Sequence, residues 1–235
     1  MIKNKIINII LIKMNKIIIL ILLGFAISND LIIIGDNFMS EIANILFEIP
    51  YTIYTENYLN YSYISTNDFK EYEGHNALFS TIYGVNYNFF LNGGHPTFLE
   101  NIHKQLKNAK KGTNVLINLC GRALFFGYDK WVSIFGKLAD KYAELNFYLI
   151  SSIGVLPIFS DIHNGHVKEF NQNMENEVNK MELQNFKYKS ILYNEDPLMI
   201  DINGEAVEMD NDFSSEYILK KSGLIKLFKA MTQGL

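Results

Sequence analysis

Cysteine and proline are scarce in this 235-residue sequence, which has one cysteine, four prolines and no excess of basic residues. A lone cysteine excludes a disulfide framework, and no cysteine–histidine spacing resembles a zinc site, so no metal or other cofactor is expected. The formal net charge of −4 argues against nucleic acid as a partner, because phosphate binding requires a basic face. Hydrophobic residues make up 49% and aromatic residues 14% of the chain, which excludes a disordered protein and predicts one well-buried domain.

The first 28 residues have the composition of a secretory signal peptide. Their only charged residues are lysines, and an uncharged apolar run follows at 17–25. Ala26-Ile27-Ser28 has the small residues that a signal peptidase accepts, and the apolar run is too short to span a bilayer. We therefore predict a signal peptide at 1–28, starting at Met1 or Met14, and a single domain at 29–235. A buried N-terminal helix is the alternative.

The signal peptide determines the expected location of the protein. Its removal would leave a mature chain without a membrane span, exported to the periplasm, the cell surface or the medium.

Short apolar runs alternate with longer amphipathic segments along the rest of the chain. The run Leu31-Ile32-Ile33-Ile34 is typical of a strand buried on both faces, as in a parallel sheet. A tyrosine-rich segment at 51–72 is expected to be an inserted loop or hairpin. Strands are predicted at 31–35, 77–83, 114–119, 146–150 and 186–193, and helices at 39–47, 98–109, 130–145, 166–181 and 214–231. This alternation predicts an α/β protein, a doubly wound parallel sheet with helices on both faces in a three-layer α/β/α sandwich.

Candidate site residues lie in the loops that follow the predicted strands, because ligands of such sheets bind at the carboxyl ends of the strands. The blocks there are Gly35-Asp36-Asn37 after the first strand, Gly84 after the second, Cys120-Gly121-Arg122 after the third, and Asp210 to Ser214 before the last helix. In order and spacing these blocks resemble those of the SGNH (GDSL-type) hydrolases, in the exported bacterial esterase-like branch. The resemblance extends from Leu31 to the end of the chain and implies a flavodoxin-like parallel five-stranded sheet.

The sequence departs from the SGNH family at the catalytic positions. The family's nucleophilic serine falls on Asn37, its oxyanion-hole asparagine on Arg122 and its catalytic histidine on Phe213. The second-block glycine, Gly84, and the aspartate that orients the histidine, Asp210, are the positions that match.

These departures remove the chemistry that the resemblance would otherwise imply. Acyl transfer by this route requires a hydroxyl nucleophile, a base that takes its proton and donors for the oxyanion. Loss of the nucleophile or the base alone lowers the turnover of a serine hydrolase by about six orders of magnitude. We therefore expect a pseudoenzyme that binds a glycan or a protein partner in the cleft. The alternative is an active esterase or carbohydrate deacetylase that uses other residues.

Several side chains are candidates for ligand binding or for substitute chemistry. His163 and His166 belong to an Asp-x-His-x-x-His pattern, predicted in the loop after the fourth strand; a histidine there that reached Asp210 would favour the enzyme. Arg122 could bind an anionic ligand group or pair with a neighbouring aspartate. Tyrosines of the 51–72 segment could stack on sugar rings or a protein partner, or cover the sheet edge as ordinary packing. The ligand-binding candidates are Asp36, Asn37, Gly84, Arg122, Asp210, His163 and His166.

Overall fold

The computed structural model describes residues 30–56, 59–83, 96–118, 128–154, 160–209, 212–215 and 218–235. The predicted signal peptide at 1–28 therefore lies outside the described residues. Within the described ranges, no helix has the length and the apolar character needed to cross a membrane.

The first strand, β1 (Asp30–Gly35), lies in the middle of the sheet. Its apolar residues are at most 1% exposed, and they alternate between the two hydrophobic clusters of the protein: Leu31 and Ile33 join one, Ile32 and Ile34 the other. A strand whose two faces are both buried has this uniformly apolar sequence.

Five strands of the sheet are parallel to one another. They are β1, β5 (His75–Tyr83), β6 (Asn114–Asn118), β7 (Asn146–Ile150) and β8 (Phe186–Lys189), in the spatial order β5-β1-β6-β7-β8. The chain passes from β1 to β5 on one side and then to β6 on the other, so the strand order reverses at β1. The predicted α/β class with a mainly parallel central sheet is confirmed.

The tyrosine-rich segment is a hairpin that extends this sheet. Strands β2 (Thr52–Glu56) and β3 (Leu59–Ser65) pair with each other in antiparallel fashion, and β3 then pairs antiparallel with the second half of β5. A short strand, β4 (Lys70–Tyr72), pairs antiparallel with the first half of β5. Of the two structures predicted for this segment, the hairpin is the one that forms.

Helices cover both faces of the sheet. They are α1 (Asn37–Glu41), which continues as a π-helical turn (Ile42–Leu46), α2 (Pro96–Asn108), α3 (Tyr128–Lys141), α4 (Ser160–Lys180) and α5 (Lys221–Thr232). Buried side chains of α1, its π-helical continuation and α5 share the cluster of Leu31 and Ile33, and those of α2, α3 and α4 share the cluster of Ile32 and Ile34.

The last helix begins later than predicted. It starts at Lys221, and the residues before it form a two-stranded antiparallel ribbon, β11 (Phe213–Ser215) with β12 (Ile218–Leu219). Phe213 and Leu219 pair across this ribbon and are 4% and 2% exposed. The prediction of a helix from 214 was wrong, because burial of these two side chains determines the local structure.

Helix α3 ends at Lys141, four residues before its predicted end at 145. Further differences lie after β7. Helix α4 begins at Ser160, six residues before the predicted start, and β8 ends at Lys189 rather than at 193. A hairpin of β9 (Met199–Ile202) and β10 (Glu205–Glu208) was not predicted.

Candidate functional site

The carboxyl edge of the parallel sheet is the expected place for a ligand, and its geometry is described around the end of β1. Three predicted site residues at this edge, Gly84, Arg122 and Asp210, lie outside the described residues. Asp36 and Asn37 follow β1 directly, as the sequence predicted. The candidate site is therefore built from the side chains that surround these two residues.

Asp36 and Asn37 are held in place because β1 lies very close to β6 at Gly35. A Cβ atom on Gly35 would lie 2.5 Å from the carbonyl oxygen of Asn118 and 2.5 Å from Cγ of Met39, so only glycine leaves room here. The chain then turns into α1, where the carbonyl of Asp36 accepts a hydrogen bond from the N–H of Ser40 at 2.8 Å. Asp36 is 7% exposed and Asn37 is half-buried.

Phe213 stands where the SGNH resemblance puts the catalytic histidine, and its ring lies in the hydrophobic core. It is 4% exposed and belongs to the same cluster as Phe38 and Met39 of α1. The preceding residue, Asp212, is also buried and forms a salt bridge with Lys226 of α5. Phe213 therefore acts as a packing residue of the ribbon and presents no group that can accept a proton.

The polar centre of the site is a pair of carboxyl groups, those of Asp36 and Glu41. Glu41 is not among the site residues predicted from the sequence. Glu41 is 4% exposed, and the N–H of Leu219 in the ribbon donates a hydrogen bond to its side chain. Burial, with a smaller contribution from the charge of the nearby Asp36, raises the pKa of Glu41 from 4.5 to about 7, and the hydrogen bond from Leu219 acts in the opposite direction. Glu41 is thus about half protonated near neutral pH.

One sequence signal could have identified Glu41. It is the only charged residue between Asn37 and Phe47, a stretch whose other side chains are mostly apolar. A single carboxyl group on a helix that packs against a sheet is unusual, because an isolated buried charge is unfavourable.

Two tyrosines lie between the carboxyl pair and the neighbouring strands: Tyr51 directly precedes β2 of the hairpin, and Tyr83 is the last residue of β5. The rings of Tyr51 and Tyr83 are in contact, with centroids 5.8 Å apart and an interplanar angle of 62°. Burial raises the pKa of Tyr51, and the charges of Glu41 and Tyr83 act in the same direction. Thr81, paired with Gly35 in the sheet, is fully buried, and its hydroxyl oxygen has no hydrogen-bond partner among the described residues.

The two histidines are not in a loop. Asp161, His163 and His166 lie in the first two turns of α4. The loop placement was therefore wrong for Asp161 and His163, because the helix predicted to start at 166 begins six residues earlier. His166 is exposed, and the side chain of His163 lies outside the description. In the part of the chain that the structure describes, no three histidine, cysteine or acidic side chains form a group that could hold a metal ion.

Hydrogen bonds from side chains fix the ends of β6 and β7 next to the site. Asn118 at the end of β6 donates to the carbonyl of Ser151 at 3.1 Å. Asn171 of α4 accepts from the N–H of Ser152 at 2.8 Å and donates to its carbonyl at 2.9 Å. The two bonds of Asn171 attach α4 to the carboxyl edge of the sheet, and the bond of Asn118 joins the ends of β6 and β7.

Replacement of Asn171 by alanine is expected to lower the free energy of unfolding by about 2 kcal/mol, because both hydrogen bonds to the buried main chain of Ser152 are lost. Urea denaturation measures this difference. Asn173→Ala, on the same helix but without such bonds, should change stability by less than about 0.5 kcal/mol. Equal effects of the two substitutions would contradict the assigned role of Asn171.

The arrangement can bind a ligand through carboxyl, amide and phenol groups, but its described residues include no nucleophile paired with a base. Asn37 supplies an amide where the resemblance expects a hydroxyl. Comparison of the chain with family models, with curated proteins and with solved structures found no match.

Proposed function

We propose that this protein is an exported SGNH-like domain that binds a ligand at the carboxyl edge of its sheet and does not hydrolyse esters. The observation that carries the proposal is the burial of Phe213, which is 4% exposed in the hydrophobic core at the position of the family's catalytic histidine. A phenylalanine packed in this way cannot act as a general base, and no histidine described in the structure takes its place.

The topology of the sheet supports the SGNH-like part of the proposal. The five parallel strands are in the order second, first, third, fourth and fifth along the chain, which is the flavodoxin-like order. Ligands of such sheets bind where the strand order reverses, and Asp36 and Asn37 lie at that point.

The ligand that we propose is a glycan or a protein partner. Tyr51 and Tyr83 contact each other beside the carboxyl pair, and both are half-buried, so each ring presents part of its surface. Aromatic surface next to hydrogen-bonding groups suits the stacking of a sugar ring and also suits a protein interface. The hairpin that carries Tyr51 also exposes Ile53, at 70%.

One observation favours the alternative, an active esterase or carbohydrate deacetylase with substitute residues. A pKa of about 7 for Glu41 is the value expected of a general acid or base at neutral pH. The buried location of this carboxyl group and its hydrogen bond with Leu219 equally suit a structural role, so the binding function remains the main proposal.

Hydrolysis of a short-chain p-nitrophenyl ester by residues 29–235 tests the proposal. We expect the natural protein to hydrolyse the ester at the background rate, about six orders of magnitude below a working serine hydrolase. Asn37→Ser/Phe213→His restores the residue types that the resemblance requires, and Asn37→Ser alone is its control.

The outcomes separate the two functions. Turnover by the natural protein that survives Asn37→Ala would overturn the binding proposal and direct attention to Glu41, which Glu41→Gln would then test. Hydrolysis by the double variant but not by Asn37→Ser would support the correspondence of Asn37 and Phe213 with the family's serine and histidine. Glycan-array and affinity-capture experiments with the inactive protein then distinguish the two ligand classes.

A further inference from the structure

A groove between helices α2 and α3, in the helical layer over the face of Ile32 and Ile34, has an almost entirely apolar lining. Its volume is about 230 Å³. This volume is below the usual range of about 300–1,000 Å³ for ligand pockets, which suits one flexible chain better than a molecule with several rings. The apolar lining is formed by Leu99, Ile102, Trp131, Ile134, Phe135 and Leu138.

Trp131 and Phe135 form the rigid part of this lining. The two rings are stacked, with centroids 6.1 Å apart and an interplanar angle of 20°. Both side chains are at most 2% exposed, whereas Leu99, Ile134 and Leu138 are half-buried. An apolar ligand would therefore lie against buried rings and between side chains that now face solvent, and it would remove apolar surface from water.

The polar groups in the groove lining are basic. His103 of α2 and Lys137 of α3 line the groove, and Lys141 follows Lys137 by one helical turn. Lys141 is close enough to His103 for its charge to lower the pKa of the imidazole, in addition to the effect of burial. The Nδ1 atom of His103 lies 3.0 Å from the hydroxyl of Tyr142, so this end of the groove is held in place.

Among the residues that the structure describes, no carboxylate lines the groove to offset this basic end. Glu100 and Asp140 lie on the same two helices, but neither lines the groove, and Lys137 and Lys141 form no salt bridge with any residue that the structure describes. An apolar slot with a cationic end is complementary to a molecule that has an apolar chain and one anionic end.

We propose that this groove binds a medium-chain fatty acid, with its alkyl chain against Trp131 and Phe135 and its carboxylate at Lys137 and Lys141. A single carboxylate matches the small number of cationic groups at the end of the groove. The site is separate from the carboxyl pair of Asp36 and Glu41, so this inference does not depend on the proposed function.

The only tryptophan of the chain reports directly on the groove. Because bromine quenches tryptophan fluorescence at contact range, ω-bromoundecanoate added to the full chain should quench Trp131 in a saturable manner. ω-Bromoundecanol, which has the same chain without the charge, should bind more weakly by up to about fivefold, since an exposed ion pair contributes up to about 1 kcal/mol. Binding elsewhere on the protein leaves the emission of Trp131 unchanged.

Charge reversal at the groove gives the matched test. Lys137→Glu should weaken binding of the acid about tenfold without changing the circular dichroism spectrum, because Lys137 is exposed. Lys187→Glu, at an exposed position of β8 away from the groove, should leave binding unchanged. Absence of quenching, equal affinity for acid and alcohol, or equal effects of the two substitutions would overturn the proposal. Quenching by vesicles of brominated anionic lipid but not by the free brominated acid would overturn it in favour of a membrane surface.

Discussion

Glu41→Gln is expected to stabilise the protein by about 3 kcal/mol at about pH 8 but by less than about 1 kcal/mol at about pH 5. Glutamine keeps an oxygen that can accept the hydrogen bond from the N–H of Leu219, and its amide can donate to the carboxylate of Asp36. Chemical denaturation of the natural protein and the variant at the two pH values measures the difference.

The sign follows from the raised pKa of Glu41. The folded protein holds a proton on Glu41 up to about pH 7, whereas the unfolded chain releases it near the ordinary value of 4.5. Between these two values the folded state binds more protons than the unfolded state, so its stability falls as the pH rises. The loss is complete above the folded pKa, where a charged Glu41 faces Asp36 in a buried site.

An exposed glutamate provides the control for this prediction. Glu144→Gln, in the turn after α3, should leave the stability nearly unchanged at both pH values, because its side chain is exposed to solvent. If Glu41→Gln were no more stable than the natural protein at about pH 8, the buried charge of Glu41 beside Asp36 would not be destabilising, and the prediction would be wrong.

Gly35→Ala is expected to lower the free energy of unfolding by about 3 kcal/mol or more. The new methyl group would lie 2.5 Å from the carbonyl oxygen of Asn118, which is main chain in the adjacent strand. Gly35 pairs with Thr81 on one side and Asn118 on the other, so β1 cannot move without disturbing both neighbours. The same displacement would shift Asp36 and Asn37, and a ligand bound there should lose affinity as well.

Gly136→Ala is the contrasting substitution. Its methyl group would meet the sulfur of Met181, which belongs to a flexible, half-buried side chain that can move aside. Alanine also favours the helix by about 1 kcal/mol over glycine, so the net change should stay within about 1 kcal/mol. Urea denaturation of the two variants side by side checks the contrast, and a similar loss in both would contradict the role assigned to the β1–β6 approach.

Part of the candidate site could be predicted from sequence because it lies next to a strongly patterned strand. The run from Leu31 to Ile34 determines where β1 ends, and the end of a parallel strand determines where Asp36 and Asn37 lie. Glu41 was missed because its pKa is raised mainly by burial in the folded protein, and because the backbone donor that contacts it, Leu219, is far away in sequence. The helical position of Asp161 and His163 was missed because the early turns of α4 have little apolar periodicity.

The amino-acid sequence by itself determined the α/β class, the order of the buried strands along the chain and the presence of Asn37 and Phe213 where the resemblance expects a serine and a histidine. These features depend on local hydrophobic pattern and on residue identity, which can be read without knowledge of distant contacts. Only the tertiary structure decided that the tyrosine-rich segment widens the sheet, that Phe213 is buried in a ribbon rather than at the start of a helix, and that Glu41 lies beside Asp36. Each of these depends on which remote segment covers a given surface, and burial against that segment overrides the local preference of the chain.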